Sequence, residues 1–388
     1  MADLISFSRG APSLDIVDID GLKAAASAAF DTDPARVTGY GTAVGYPPLR
    51  EWIAAKHDVN VDRVIVTNGS LQADAFLFDA LVTPDTNVVV ERPTYDRTLL
   101  GLRNRRGNLV PIPVEDDGLS IKDLEQVIDG GTVPALAHII PNFQNPAGVT
   151  LSASKRTRLL ELSREHGFTI FEDDPYLDIR FRGEGLPTML SQDENVVYAS
   201  SFSKTVCPGV RVGYLIAPTD LIKRITTMAT NTYIAPNMLA QATVYQFARS
   251  GALAASIAKV QTALNERADT LATSLHRHLP NSTFTVPDGG YFLWVDLGED
   301  VDVARLAPAA EKRGVQVVKG SDFVLEGGQH SLRLAFSAVA ADRIDEGVQR
   351  LAAAIDDSKR IDTISLPVSD QMRRIVIGSA AEGEATLA

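Results

Sequence analysis

A lysine set among small hydroxyl residues marks the most reactive stretch of this chain. Ser200-Ser201-Phe202-Ser203-Lys204-Thr205 follows an apolar run at Val196, Val197 and Tyr198, and Arg211 opens a second run from Val212 to Ala217. A lysine amine in a partly desolvated site loses its proton more easily and can attack a carbonyl to form a Schiff base. Taken alone, a lysine in a polar loop is more often a solvated surface residue. The remaining residues with chemical capacity fall at the ends of apolar runs: Gly69-Ser70-Leu71, Tyr95, Asn145, Asp173 with Tyr176, and Arg211. No common metal site or nucleophilic triad uses this set. The histidines form no metal-spaced pair that a helix or strand would support. The set does suit pyridoxal 5′-phosphate. Backbone N–H groups at a helix start, Gly69-Ser70-Leu71, with Ser201, Ser203 and Arg211, could take the phosphate. Tyr95 could stack on the ring, and a carboxylate such as Asp173 could keep the ring nitrogen protonated so that the ring acts as an electron sink. Asn145 and Tyr176 could donate to the phenolic oxygen, and Lys204 could meet the aldehyde.

Such residues need elements that carry them to one place. Short β-branched runs recur at Arg63–Thr67, Asn87–Val90, Leu109–Val114, Ala135–Ile140, Phe168–Glu172, Val196–Ala199 and Val212–Ala217. Helical segments alternate with them at Leu49–His57, Leu71–Leu81 and Ser154–His166, with a weaker candidate at Ile19–Phe30. That rhythm predicts an α/β domain with a mainly parallel sheet sandwiched by helices. In such sheets ligands gather at the carboxyl ends of the strands, where the candidate residues lie. After Asn237 the pattern changes. Met238–Leu279 reads as helix softened near Gly251, followed by strands at Thr283–Val286, Tyr291–Val295, Val315–Val318 and Leu332–Phe336 and a helix at Ala341–Ile355. This predicts a smaller α+β domain. The expected division is an N-terminal arm (1–47) packing with the small domain, a large cofactor-binding domain (48–257), a small C-terminal domain (258–356) and a tail (357–388), loosely held from Ser379.

The chain has 388 residues, enough for two such units, with ample apolar material at 45%. A net charge of −12 with no offsetting basic run argues against nucleic acid and anionic membrane as partners. Cys207 is the only cysteine, and neither a signal-peptide core at the start nor a membrane-length apolar run is present. A cytoplasmic protein is expected.

Several motifs in order now carry a resemblance: Tyr40-Gly41-Thr42-Ala43-Val44-Gly45, Asn68-Gly69-Ser70-Leu71-Gln72, Glu91-Arg92-Pro93-Thr94-Tyr95, Pro141-Asn142-Phe143-Gln144-Asn145-Pro146, Glu172-Asp173-Asp174-Pro175-Tyr176, Ser201-Phe202-Ser203-Lys204, and Ser331-Leu332-Arg333. The chain resembles the fold-type I, class I/II aminotransferases that depend on pyridoxal 5′-phosphate, and among them the 2-aminoadipate, kynurenine and aromatic aminotransferase branch. The resemblance implies Lys204 as Schiff-base lysine and proton shuttle. It implies Asp173 on the ring nitrogen, Asn145 and Tyr176 on the phenolic oxygen, and Tyr95 on the ring face. Ser70, Ser201, Ser203 and Arg211 would hold the phosphate, and Leu71 could help only through its backbone N–H. Tyr40 matches a tyrosine that reaches the neighbouring subunit's phosphate, which implies a homodimer with shared sites. Arg333 matches the arginine that grips the substrate α-carboxylate, with Asn145 also on the substrate side. The chain departs from the family at Lys319-Gly320, where relatives often carry Pro-Gly, and Lys319 is expected near the substrate mouth.

The implied activity is transfer of an amino group from an L-amino acid to a 2-oxo acid. The same cofactor residues would serve a lyase, a decarboxylase, a cyclase or an oxidative deaminase. A pyridoxal-phosphate-binding sensor, as in some transcription regulators, is a further alternative. Those regulators carry an N-terminal DNA-binding domain, whereas the family pattern here begins by Tyr40, and the acidic balance argues against DNA.

Overall fold

The computed structural model describes residues 3–364; the loose tail expected from Ser379 lies outside the described residues. In chain order the strands are β1 (Ile5–Ser6), β2 (Val64–Thr67), β3 (Asn87–Arg92), β4 (Asn108–Glu115), β5 (Gly118–Leu119), β6 (Leu136–Ile139), β7 (Thr169–Asp173), β8 (Val197–Ser201), β9 (Gly213–Ile216), β10 (Phe292–Asp296), β11 (Val315–Gln316), β12 (Val318–Lys319) and β13 (Ser331–Ala335). Eight of them form one sheet in the order β2-β9-β8-β7-β6-β3-β4-β5. Its middle, from β8 through β4, is parallel; β9 runs antiparallel to both β2 and β8, and β5 runs antiparallel to β4.

The side-chain period of two sorts this sheet into two covered faces. Val88, Val90, Phe171 and Leu215 pack with helices Ser70–Leu81, Asp96–Asn104 and Thr219–Tyr233. Their neighbours Val89, Ile170 and Tyr214 pack the other way, with helices Pro47–His57, Ala153–His166 and Met238–Arg249. Burial on both faces is why β2 and β6 are buried at every position and are apolar except at Thr67 and His138.

A second core gathers the three-stranded antiparallel sheet β10-β13-β12 with helices Ala252–His278, Val303–Lys312 and Ala341–Ile364. The N-terminal arm divides between the two cores. Strand β1 pairs with β11, burying Ile5 and Phe7 in the second core, whereas Ala25 and Ala29 of helix Ile19–Thr32 belong to the first. Two expected strands take another form. Thr283–Val286 contributes only an isolated bridge between Thr283 and Asp296, and Pro287 directly follows, with no N–H to extend a ladder. Val315–Val318 splits into β11 and β12 because its two halves find different partners, β1 and β13. The last helix runs past the expected Ile355 to Ile364.

Candidate active site

A cavity of about 460 Å³ lies beyond the carboxyl ends of the parallel strands, walled also by the arm at Ser8, Arg9 and Gly10 and by the second unit at Phe292 and Arg333. Its size falls within the usual range of small-molecule sites, about 300–1,000 Å³. Strand β7 ends on Asp173, β8 ends on Ser201, and Lys204 lies in the turn between β8 and its antiparallel neighbour β9.

Lys204 is half-buried. Its Nζ donates to the Gly10 carbonyl at 2.7 Å and lies 5.1 Å from the Tyr291 ring centre and 5.7 Å from that of Tyr176. Tyr291 Oη donates to the Lys204 carbonyl at 2.8 Å, which fixes the backbone of the turn. Loss of water pushes the ammonium down to about 8; the nearby Arg333 and Arg211 charges add to the shift and Asp173 opposes it. The group is therefore poised to release a proton near neutral pH.

One end of the cavity is built for an anion. Helix Ser70–Leu81 starts there, so its first N–H groups and its positive dipole end are available. Gly69 holds φ at +88°, and a Cβ on it would lie 2.1 Å from Arg211 Nη2. Arg211 itself sits in the left-handed region at φ 48°. Its Nη1 donates to Ser203 Oγ at 3.4 Å and its Nη2 to the Asn68 carbonyl at 3.2 Å. Ser201 Oγ lies 2.9 Å from Ser203 Oγ and accepts from the Ser203 N–H at 3.1 Å. A guanidinium, two hydroxyls and a helix start thus surround one spot. The Leu71 side chain is exposed at the rim.

The other polar features lie deeper. Asp173 is buried, its Oδ1 has no hydrogen-bond partner, and its Oδ2 is 3.5 Å from Nε2 of the fully buried His138. Tyr95, Asn145 and Tyr176 share the cavity wall with it. Burial pushes the Tyr95 phenol up to about 12 and that of Tyr176 well above its usual range, so both stay protonated donors. Arg333 is held between the rings of Phe292, 4.4 Å away, and Phe323, 4.7 Å away. Its Nη1 donates to Asn145 Oδ1 at 3.1 Å and its Nη2 to the Ser8 carbonyl at 2.7 Å, while Nε has no partner.

The fold brings Ser70, Leu71, Tyr95, Asn145, Asp173, Tyr176, Ser201, Ser203, Lys204, Arg211 and Arg333 to this one cavity. Gly69 supports the Arg211 guanidinium from outside the wall. Tyr40 stays apart from the cavity and is 91% exposed. Lys319 does not line the cavity either; its Nζ is 3.7 Å from Asp322 Oδ1, a neighbour one turn on that draws it aside. Three features escaped the sequence reading. His138 had a signal: it lies on β6 beside Phe171 of β7, and Asp173 follows Phe171 by two, on the same face. Asp74 had the weaker signal of an acid on the buried side of a helix. The arm residues Ser8 to Gly10 had none, being irregular chain held by distant partners. Among the described residues no cluster of His, Cys, Asp and Glu could hold a metal ion, and no helix is long and apolar enough to cross a membrane.

The family model described as "Aminotransferase class I and II" matches residues 2–351. Aromatic-amino-acid aminotransferase 1 of Thermococcus litoralis is 30% identical over 92% of this chain and 89% of that protein. The solved α-aminoadipate aminotransferase of Thermus thermophilus, complexed with N-(5′-phosphopyridoxyl)-L-leucine, superposes with a TM-score of 0.88 at 27% identity, covering 92% of this chain and 93% of that one. An uncharacterised HTH-type transcriptional regulator of Bacillus subtilis, YisV, is 27% identical over 93% of this chain and 75% of its own length.

Proposed function

Because the chain belongs to the class I and II aminotransferases, we propose that its cavity is the catalytic site, with Lys204 as the central amine and Asp173, Tyr176 and Arg333 as its principal partners. The protein is a pyridoxal 5′-phosphate-dependent aminotransferase that moves an amino group from an amino acid to a 2-oxo acid. Its residues fit that cofactor. The unpartnered Asp173 Oδ1 suits a ring N–H, and the cluster of Arg211, Ser201, Ser203 and the helix start at Ser70 suits a phosphate. Tyr95 supplies a ring platform, and the Tyr176 hydroxyl and Asn145 amide supply donors for a phenolic oxygen. When bound, the cofactor supplies a carbonyl for amines and an electron sink for the substrate's α-carbon.

The chain's own residues divide the rest of the work. Lys204, with its lowered proton affinity, takes the substrate α-proton and returns it on the other side of the reaction. Asp173, backed by His138, holds negative charge against the cofactor ring. Arg333 grips the α-carboxylate of amino acid and oxo acid alike, and its stacking between Phe292 and Phe323 keeps the fork in one orientation. Closure of the arm over Arg333 and Lys204, through the Ser8 and Gly10 carbonyls, limits water at the reacting centre.

The working unit of this reading is a homodimer in which Tyr40 reaches the neighbour's phosphate. Its support is the exposure of Tyr40, together with that of the large apolar side chains Leu71, Ile234 and Leu239, on the described surface. The single cysteine is consistent with a reducing, cytoplasmic setting. The observation that carries the reading is the convergence of Lys204, the unpartnered Asp173 oxygen, the anion cradle and Arg333 on one cavity. A single-turnover absorbance scan of the holoenzyme against a panel of L-amino acids tests it. One amino acid should bleach the cofactor band, and a 2-oxo acid should restore it; Lys204→Ala should abolish that cycle while retaining some cofactor. A fully active Lys204→Ala variant, or product formation with no need for an oxo acid, would sink the assignment.

A further inference from the structure

One buried acid in the cavity wall has no task in the mechanism above. Asp74 lies on helix Ser70–Leu81, 3% exposed, between the buried Ala73 and Phe76. It is the fifth residue of the helix, too far along for an N-cap role. No salt bridge among the described residues engages it, and its Oδ1 has no hydrogen-bond partner. An acid placed so costs folding free energy unless something else compensates it. Its surroundings say what that could be. Asp74 and Asp173 line the same cavity. Asp173 Oδ1 is also without a partner, so two carboxyl groups that line one cavity each carry an unsatisfied oxygen. Burial and the Asp173 charge push the Asp74 carboxyl well above its usual range, and a positive group placed beside it would oppose that shift.

We propose that Asp74 is a second cofactor-binding acid, which acts with Asp173 on the nitrogen end of the pyridoxal ring. The inference rests on the reading that Asp173 meets the ring nitrogen. The protonated ring nitrogen is the one cationic group of the free cofactor, and the Schiff-base nitrogen belongs to Lys204, so the ring nitrogen is the group that two convergent carboxyls would select. Asp173 holds it directly, and Asp74 adds a second negative potential from the helix side in a medium of low dielectric. The anion cradle and the acid therefore share one helix: its start faces the phosphate and its fifth residue faces the ring.

The test compares affinities of the full-length apoprotein for pyridoxal 5′-phosphate and for its 1-deaza analogue, in which a ring C–H replaces the nitrogen. Both probes keep the aldehyde and the phosphate, so their ratio isolates the nitrogen end. The wild-type protein should prefer the natural cofactor, and Asp74→Leu and Asp74→Asn should each reduce that preference, the Leu variant by about ten-fold or more. Asp74→Leu should also raise the apoprotein's melting temperature, since it removes an unsatisfied buried acid. Asp173→Asn is the control. If it lowers the preference while both Asp74 variants leave it unchanged, Asp74 is only a buried structural acid and the proposal falls. If Asp173→Asn leaves the preference unchanged too, the placement of the ring nitrogen at Asp173 fails, and this proposal fails with it.

Discussion

The chemistry of Lys204 is decided by what surrounds its last atom. Loss of water is the largest influence on its proton affinity, and the cations Arg333 and Arg211 add to it. Because the shift is downward, the neutral amine dominates above about pH 8, whereas an exposed lysine needs about 10.4. Pulsed acylation of the apoprotein, read by mass spectrometry of the Lys204 peptide, should therefore show a midpoint near pH 8, well below that of the surface lysines. Removing one repelling cation with Arg333→Ala should move that midpoint upward. A Lys204 midpoint equal to the surface value would mean that the cavity does not desolvate the amine. The type of residue needed at 204, 173 and 333 is legible in the motifs around each. Their mutual influence is not, because Arg333 and its partner Asn145 are 188 residues apart and Lys204 and Gly10 are 194 apart.

Elements place these atoms through backbone contacts that tolerate little change. Gly213 begins β9 opposite Thr67, and a Cβ there would stand 2.4 Å from the Ser70 backbone nitrogen, the first residue of the helix that faces the anion site. Gly213→Ala should displace that helix start, costing about 1–3 kcal/mol by analogy with overpacking and weakening cofactor retention in dialysis. Gly209→Ala is the matched control, since nothing lies within 4 Å of the position its Cβ would take. Equal cofactor retention in the two variants would show that the close approach is not what sets the helix. At this scale the sequence is informative wherever one local pattern suffices, as in the largely apolar runs of β2 and β6. It fails where a partner decides the outcome. The run Val315–Val318 has strand propensity throughout, yet it divides because β1 claims one half and β13 the other. The helix Thr219–Tyr233 has buried Ile222, Ile225 and Ala229 at helical spacing and was open to detection from that period alone.

The whole molecule sets how many chains a site needs. Tyr40 is exposed and lies away from the cavity of its own chain, as the proposed exchange of this residue between two subunits requires. Sedimentation equilibrium should give twice the 41.7 kDa chain mass. Mixed dimers carrying Tyr40→Ala in one chain and Lys204→Ala in the other should contain one site with neither lesion alongside one with both. Purified mixed dimers should thus show about half of the wild-type activity per dimer, as a two-fold assembly with shared sites requires, while Lys204→Ala homodimers show none. A monomeric and fully active protein would overturn this. Fold class, the mainly parallel sheet and the smaller α+β unit follow from the chain itself, because side-chain period and run length are local properties set by backbone geometry. The residue types of the site are equally local, since each stands in a short motif beside a strand. Tertiary structure alone decided the rest: that the arm splits between two cores, that Lys319 turns to Asp322, and that His138 and Asp74 gather around Asp173. Burial, proton affinity and unsatisfied hydrogen-bonding groups are properties of neighbours in space, and the folded chain chooses those neighbours from far along its length.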